Sequence, residues 1–309
     1  MANIVIQVTK ADLEKMKVYY QAYHTGKIPP GGVFAAKKNG CAITAYRSGK
    51  VMFQGAGNEA EAKRWGNPTA KVGKTTMSKT SGLPLPPNIS TMSIIGSDEV
   101  GKGDYFGPMT VVASYVKKDQ IHLLQELGVK DSKHLTDPQI IIIAKDLLTF
   151  IPYSLLTLPN EKYNQLQASG MTQGKITAIL HNQALNFLLE KIEPEKPEAI
   201  LVDQFAEAGV YFRHLQGQKS ICRENVLFST KAEGIHLAVA ASSILARYAF
   251  LKAFDDLSEK AGFTLPKGAG AKVDQAAARL IKQKGIKSLN EFTKEHFANT
   301  GKAKRIAGK

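Results

Sequence analysis

The stretch over residues 67–90, "NPTAKVGKTTMSKTSGLPLPPNIS", constrains the fold of this chain more than any other. It is rich in Lys, Ser, Thr, Pro and Gly and has no hydrophobic periodicity, which is typical of a linker between domains. A chain of 309 residues is long enough to bury a core on each side of such a linker. We therefore expect an N-terminal domain over residues 1–66, a linker over 67–90 and a second domain over 91–309.

The N-terminal segment has the pattern of a small α+β domain. A strand "NIVIQV", a helix "KADLEKMKVYYQAYHTG", three strands "GVFAAKK", "CAITAYRS" and "KVMFQG", and a helix "NEAEAKRWG" follow one another, which predicts one sheet with helices on one face. Aromatic and basic side chains alternate on its strands, namely Phe34, Tyr46, Arg47 and Phe53. They indicate either an exposed platform for nucleic acid or part of the core.

The second domain reads as a layered α/β unit. It begins with an apolar strand, a glycine turn and a second strand, most simply a hairpin, and the later strands "YSLLTL" and "EAILVDQF" alternate with helices. The helix "DPQIIIIAKDLLTFI" is expected to have Asp137 as N-cap and Pro138 at its first position. An antiparallel hairpin combined with helical crossovers predicts a mixed sheet. The lysine-rich tail from residue 266 predicts two short helices.

Charge is concentrated in the first part of the chain. The net charge is +14, and residues 1–90 hold 13 Lys and Arg against 4 Asp and Glu, a net +9. Such a field favours a polyanionic partner, because neutralised phosphates release counterions. A lysine-rich solvated surface is the alternative.

The location of the protein is expected to be cytoplasmic. No uninterrupted apolar run approaches the roughly 20 residues that span a bilayer, and the first residues lack the long apolar stretch of a signal peptide. The two cysteines, Cys41 and Cys222, are far apart and have no partner at CxxC or CxH spacing. We expect both to be reduced structural thiols.

Carboxylates follow apolar strands at two places in the second domain. Asp98 and Glu99 lie in "GSDEVGKGDYFGPM", Asp203 ends the run "AILVD", and Glu233 precedes a long helix. Oxygen-only ligands suit Mg²⁺ or Mn²⁺, and several carboxylates with substrate phosphates suit two-metal phosphoryl chemistry. The alternative for Asp98 is an N-cap or surface-turn acid.

Adjacent residues on a regular strand point to opposite faces, so Asp98 and Glu99 are expected to share a metal only if the chain bends. Gly101 and Gly103 make a bend possible and would let backbone N–H groups approach a sugar or phosphate. An ordinary hairpin turn is the alternative reading. His181, inside the helical run "AILHNQAL", is expected to be a packed or partly exposed residue without a catalytic role.

Four blocks, in order between residues 92 and 250, resemble the motifs of type 2 ribonucleases H. They are "DEVGKGDYFGP", "KDSKHL", "VDQF" and "KAEGIHLAVAASSILAR". The lysine of the GKG turn, the glutamate of the KAE block and the basic N-terminal extension resemble the ribonuclease HIII branch. In that branch the extension is a TATA-box-binding-protein-like substrate-binding domain.

The resemblance implies an RNase H-like α/β fold and endonucleolytic cleavage of the RNA strand in RNA/DNA hybrids, giving 5′-phosphate and 3′-hydroxyl products. It implies a quartet that binds Mg²⁺ or Mn²⁺, formed by Asp98, Glu99, Asp203 and Glu233. It implies substrate contacts by Gly101, Lys102, Gly103, Lys130, Ser132 and Lys133, with helix capping as the alternative role of "KDSK". We expect a monomer whose partner is the hybrid, with no membrane and no obligate protein partner.

Two other functions compete with this interpretation. The first is a ribonuclease HII-like enzyme that incises at single ribonucleotides embedded in duplex DNA, which the GKG lysine and the KAE glutamate disfavour by resemblance. The second is a non-catalytic nucleic-acid-binding protein whose acids are structural. Carboxylates at two separate strand ends disfavour it.

Overall fold

The computed structural model describes residues 4–26, 28–66 and 80–309. The N-terminal elements are, in chain order, β1 (Ile4–Gln7), α1 (Lys10–Tyr19), β2 (Gly32–Lys38), β3 (Cys41–Tyr46), β4 (Lys50–Gly55) and α2 (Asn58–Lys63). The strands form an antiparallel sheet in the order β1-β4-β3-β2. The predicted α+β order is therefore confirmed.

The aromatic side chains of this sheet belong to cores. Phe34 and Phe53 are buried with Leu13 and Met16 of α1. Tyr46, on the other sheet face, packs into the core of the second domain. The exposed platform of aromatics is thus wrong for these three residues, because both faces of the sheet at these positions are covered.

The second unit is built on a six-stranded sheet. Its elements are β5 (Thr80–Ser81), β6 (Ile94–Val100), β7 (Met109–Val116), α3 (Ile121–Glu126), α4 (Asp137–Leu147), β8 (Tyr153–Leu158), α5 (Asn160–Ala168), α6 (Gln173–Ile192), β9 (Ala199–Asp203), α7 (Ala208–His214), β10 (Val226–Ser229), α8 (Leu237–Ala261), α9 (Ala271–Lys284), α10 (Leu289–Phe292) and α11 (Ala298–Ala307). The strand order is β5-β10-β9-β6-β7-β8. β9 runs parallel to β6 and β10, and the other pairs are antiparallel, so the predicted mixed sheet is confirmed.

Helices cover both faces of this sheet. α8 lies against β6 and β7, and α6 covers the opposite face. A Cβ added at Gly96 would lie 2.2 Å from the backbone of Ala238 and Val239, which explains why the first half of α8 is rich in Ala and Ser. Among the described residues, α8 alone is long and apolar enough to cross a membrane, but 67% of its apolar window is buried inside the protein.

Several expected boundaries differ in the structure. α4 begins at Asp137, and its N-cap is Thr136, which forms a capping box with Gln139; the predicted N-cap was one residue too late. The sequence reading missed β10, and it missed that Thr80–Ser81, at the end of the expected linker, pair with β10. Most of that linker, residues 67–79, lies outside the described residues. The tail from residue 266 contains three helices, not two.

Candidate active site

The carboxyl ends of β6 and β9 bring two of the predicted acids side by side. The two strands are parallel, and Ser97 pairs with Val202, so Asp98 and Asp203 follow at the same edge of the sheet. Open α/β sheets place ligand sites at this edge. The third acid, Glu233, lies in the short turn Ala232–Gly234 between β10 and α8.

A backbone hydrogen bond holds the Glu233 turn against β9. The N–H of Ala232 donates to Oδ1 of Asp203 at 2.9 Å, and Lys231 before it adopts a left-handed conformation, φ 58°. The turn that carries Glu233 is therefore held next to the carboxylate of Asp203. Burial raises the pKa of Asp203, the Ala232 N–H opposes this, and the charges of Glu99 and Glu233 raise it further.

Asp98 is buried, with 6% of its surface exposed. Burial raises its pKa well above the ordinary value, and the charges of Glu99, Asp203 and Glu233 add to this, while a hydrogen bond with Ser243 of α8 acts in the opposite direction. Like charges that cannot separate disfavour ionisation of one another. The site thus concentrates negative charge that a cation would relieve.

Glu99 occupies the opposite face of the same strand. β6 pairs regularly with β7 through Val100, so the bend that would let Asp98 and Glu99 share a metal does not occur between them, and the turn comes only at Gly101. The Glu99 carboxylate reaches Nε2 of His181 at 3.0 Å and Nζ of Lys102 at 3.6 Å. Burial acts to raise the pKa of Glu99, but the hydrogen bond and charge of His181, with Lys102, hold it below its ordinary value.

His181 is a site residue that the sequence reading missed. It is fully buried on α6, and its Nδ1 lies 2.7 Å from Oγ of Ser97. Because the Glu99 carboxylate can only accept, Nε2 is the donor to Glu99, and Nδ1 shares a hydrogen bond with the Ser97 hydroxyl, which also lies 3.0 Å from the carbonyl of Val112. Its position among Thr177, Leu185 and other buried α6 residues was an available signal, since a titratable side chain on a sheet-facing helix surface needs a polar partner.

The predicted "KDSK" block touches the cluster through Glu233. The N–H of Ser132 donates to Oε2 of Glu233 at 2.7 Å, and Nζ of Lys133 lies 3.5 Å from Oε1. Arg247 of α8 donates to the carbonyl of Ser132 at 2.7 Å and so fixes the loop. Asp131 also caps the short turn at 132–134, so the block has the capping role as well as the contact with the acid.

The glycine turn lies directly beyond Glu99. Gly101 has φ +92°, and an added Cβ would lie 2.2 Å from the carbonyl oxygen of Pro108, whereas a Cβ at Gly103 would meet nothing within 4 Å. Gly101 is therefore required by the turn, and Gly103 leaves open space beside it. Lys102 between them directs its ammonium back to Glu99 and over the ring of Phe205, at 4.7 Å.

A cleft of about 1700 Å³ separates the two domains beside Glu233. Both basic and acidic side chains line it, namely Lys10, Arg47, Lys50 and Lys130 together with Glu14, Glu126, Asp146 and Glu233. Contacts such as Arg47 with Asp146, 3.3 Å, and Ser48 Oγ with the carbonyl of Glu126, 2.8 Å, join its walls. Lys130 thus lies in the cleft, and among the described residues no ion pair joins it to the four acids.

The four carboxylates offer the oxygen ligands that a hard divalent cation prefers. In this structure, however, Glu99 and Glu233 are bonded to N–H groups of the protein. In the described ranges, no group of three or more His, Cys, Asp or Glu side chains is close enough to hold a metal ion. Glu99 contacts His181 and Lys102, and Glu233 contacts Ser132 and Lys133. The set is nevertheless all-oxygen, and its members raise the pKa of Asp98 through their charges, which is the electrostatic demand that Mg²⁺ or Mn²⁺ satisfies.

Family models match both units of the chain. Residues 95–300 match the model described as ribonuclease HII, and residues 3–78 match a domain of unknown function, DUF3378. The matched region contains all four acids. The second unit is therefore a type 2 ribonuclease H domain.

Full-length relatives narrow this class. Ribonuclease HIII of Bacillus subtilis (strain 168) is 58% identical over 311 residues, covering 100% of this chain and 99% of that protein. Ribonuclease HIII of Listeria monocytogenes serotype 4b (strain F2365) is 53% identical over 309 residues, covering both chains completely. The crystal structure of Bst-RNase HIII in complex with Mn²⁺ is 43% identical, with a TM-score of 0.70 and 99% of each chain covered.

A more distant structure agrees on the fold alone. Aquifex aeolicus RNase H3 is 22% identical, with a TM-score of 0.53, over 94% of this chain and 98% of that one. The chain belongs to the ribonuclease HIII family, and it is an endonucleolytic ribonuclease H.

Proposed function

We propose that this protein hydrolyses the RNA strand of RNA/DNA hybrids at the cluster of Asp98, Glu99, Asp203 and Glu233, with Mg²⁺ or Mn²⁺. The observation that carries the proposal is the buried carboxylate of Asp98, whose pKa is raised by burial and by three neighbouring acids. Such a cluster is costly in an apolar sheet unless cations occupy it. The Mn²⁺ complex of Bst-RNase HIII supports the choice of ion.

The four acids would hold two ions, and the chain's other residues would orient them. When bound, such ions activate the attacking water and stabilise the leaving 3′ oxygen, which gives a 5′-phosphate and a 3′-hydroxyl. His181 holds the Glu99 carboxylate from behind, and Ser132 holds that of Glu233 through its backbone N–H. Fixed carboxylates keep the geometry of the reacting phosphate constant.

The substrate would enter along the cleft between the two units and meet the glycine turn. Open space beside Gly103 lets a sugar approach the backbone closely, where a hydrogen bond to the 2′-hydroxyl distinguishes RNA from DNA. Lys102 and Lys133 each lie near an acid and would also reach the approaching phosphates, with Lys130 in the cleft and Ser132 beside Glu233. The net charge of +14 favours collection of the duplex.

The cellular setting is part of the proposal. We infer a cytoplasmic monomer without a membrane or an obligate protein partner. The two free, buried cysteines, Cys41 and Cys222, suit a reducing compartment. A long duplex requires no second copy of the enzyme.

The test compares cleavage of a uniform RNA/DNA hybrid with cleavage of a DNA duplex that carries one ribonucleotide, in Mg²⁺, in Mn²⁺ and with a chelator. Glu233→Gln is the site variant, and Glu259→Gln, an exposed acid on α8, is the matched control. We expect metal-dependent cleavage of the hybrid that Glu233→Gln abolishes and Glu259→Gln preserves.

The other outcomes separate the competing functions. Cleavage at the single ribonucleotide would indicate a ribonuclease HII-like activity. Binding of both duplexes without any metal-dependent cleavage, unchanged by Asp98→Asn and Asp203→Asn, would indicate a non-catalytic binding protein and would overturn the proposal.

A further inference from the structure

A buried lysine from the C-terminal tail holds the loop that follows the glycine turn. Lys294 has no exposed surface, and its ammonium donates to the carbonyl oxygens of Asp104 at 2.9 Å, Gly107 at 2.5 Å and Pro108 at 3.5 Å. Lysine is almost never fully buried without a partner. Here its partners are main-chain carbonyls of a single loop, residues 104–108.

Further hydrogen bonds connect the same two segments. The N–H of Lys294 donates to the carbonyl of Tyr105 at 2.9 Å, and the N–H of Gly107 donates to that of Phe292 at 3.1 Å. From the other side, the N–H of Gly268 donates to Oδ1 of Asp104 at 2.6 Å. The C-terminal tail therefore fixes the loop by its backbone as well as by the ammonium.

The loop in turn determines where the glycine turn can lie. The N–H of Asp104 donates to the carbonyl of Gly101 at 3.3 Å. The carbonyl of Pro108, one of the three acceptors of Lys294, faces Gly101 so closely that an added Cβ would lie 2.2 Å from it. A shift of Pro108 would therefore move Gly101, and with it Lys102 and Gly103.

We propose that Lys294 is a positioning residue for the substrate-binding turn Gly101–Gly103, acting through the carbonyls of residues 104–108. This inference rests on the proposed contact between that turn and RNA. Lys294 does not touch the carboxylate cluster, so its effect would come through the geometry of the turn. A misplacement of about 1 Å can reduce a rate by roughly a hundredfold when reacting groups must be aligned.

The electrostatics of Lys294 agree with this geometry. Burial lowers the pKa of Lys294 to about 7, and the charge of Asp104 acts in the opposite direction. The carbonyl dipoles offset part of the cost of burying the ammonium, which a methionine at this position would not incur. A residue needed only to fill space would not require N–H donors aimed at three carbonyls.

The decisive variant is Lys294→Met, which keeps an unbranched side chain only one atom shorter and removes its N–H donors. Its matched control is Leu188→Ala, a fully buried residue of α6 in a different core cluster, which destabilises the protein without touching the C-terminal tail. Three quantities are measured in both: the unfolding midpoint, kcat and KM on a uniform hybrid, and hydrogen exchange of the amides of Asp104, Tyr105 and Gly107.

For Lys294→Met we expect exchange of these amides to accelerate at least about tenfold and kcat/KM to fall at least about tenfold, while amides of β6 keep their protection. For Leu188→Ala we expect a lower unfolding midpoint with unchanged turn exchange and kinetics. Normal turn exchange and normal kcat/KM in a destabilised Lys294→Met protein would make Lys294 a residue of the core only and would overturn the inference.

Two further variants separate the possible failures. If Lys294→Met does not fold, Asp104→Ala removes the bond from Gly268 on the opposite side of the loop, and the same loss of turn protection and of kcat/KM is expected. Gly103→Ala tests the proposed RNA contact itself. Unimpaired cleavage by Gly103→Ala would refute that contact, whereas impaired cleavage there with normal Lys294→Met and Asp104→Ala enzymes would refute only the role of the tail.

Discussion

Asp98 and Glu99 are neighbours on β6 that face opposite sides of the sheet. Asp98 points to α8, where it has a hydrogen bond with Ser243, and burial together with the charges of Glu99, Asp203 and Glu233 raises its pKa. Glu99 points to α6, where His181 and Lys102 accompany it and its pKa is lowered. The protein thus supplies positive charge to one carboxylate and withholds it from the other, and the comparison indicates that Asp98 depends most on a cation from outside.

The largest effect should come from Asp98→Asn. We expect cleavage of the hybrid to fall about a thousandfold or more, because metal coordination supplies several kcal/mol of transition-state stabilisation. Steady-state cleavage in Mg²⁺ and in Mn²⁺ measures it. Asp255→Asn, an exposed acid of α8, is the control and should cleave normally. A loss below tenfold would show that Asp98 is not a central ligand.

The Glu99 side can be tested through His181 with a pair of amides. In His181→Gln the amide reaches toward the position of Nε2 and keeps a donor for Glu99, whereas in His181→Asn it replaces only Nδ1 and its bond with Ser97. We expect His181→Asn to lose about 10–100-fold in Mn²⁺ affinity or in cleavage, as for residues that orient metal ligands, and His181→Gln to retain most of both. Equal losses in calorimetric Mn²⁺ titration and cleavage would contradict the positioning of Glu99 by His181.

A smaller effect on cleavage is expected at the turn beyond Glu99, where the two glycines should differ. Gly103→Ala should leave the unfolding free energy unchanged and lower cleavage about tenfold more than it lowers hybrid affinity, because the methyl group enters the open space proposed for the sugar. Gly101→Ala should cost about 1–3 kcal/mol of unfolding free energy, because alanine is strained at φ +92°. Denaturant unfolding, hybrid binding and steady-state cleavage are measured for both variants. Equal behaviour of the two variants would refute the separation of their roles.

The smallest effect on activity is expected at His236. This residue contributes to the pH dependence of unfolding, which has to be known before the two acids are compared at different pH values. Burial lowers the pKa of His236 to about 4 from 6.5, while its bond to the carbonyl of Met92 opposes the shift. The unfolded chain therefore binds the proton more readily than the folded protein does. As the pH falls from 6.5 toward 4, protonation of the unfolded chain lowers the free energy of unfolding by about 3 kcal/mol at most.

The check is the pH dependence of unfolding of His236→Asn, in which Asn can still cap α8. Between pH 7 and pH 4.5 this variant should lose less stability than the wild-type protein, with normal cleavage at neutral pH. An identical pH profile in both proteins would contradict the buried neutral state of His236.

The sequence was sufficient for the strands and for the spacing of the acids. Apolar runs that end in Asp98 and Asp203 predicted one edge of a mixed sheet, because parallel strands end together. It was insufficient for β10, a run of four residues, and for the side on which each acid lies. The bend that would let Asp98 and Glu99 share a metal does not occur, because the strand stays regular to Val100, and the two side chains then contact different helices.

The partners of the acids were beyond sequence reasoning for a physical reason. His181 is 82 residues from Glu99, and Lys294 is 187 residues from Gly107. Only the packing of α6 and of the tail against the sheet brings these atoms together. A helical periodicity could indicate that His181 is buried, but not which polar group it meets.

The most direct test of the account is the thermal unfolding of the wild-type protein and of Asp98→Asn, each at pH 7 with a chelator and again with Mn²⁺. Without metal, we expect the variant to unfold at the higher temperature, because one repelling charge is gone. The account also predicts that Mn²⁺ stabilises the wild-type protein far more than the variant. The claim that Asp98 binds the cation would be contradicted by a variant that is less stable than the wild-type protein without metal and that Mn²⁺ stabilises as much as it stabilises the wild-type protein.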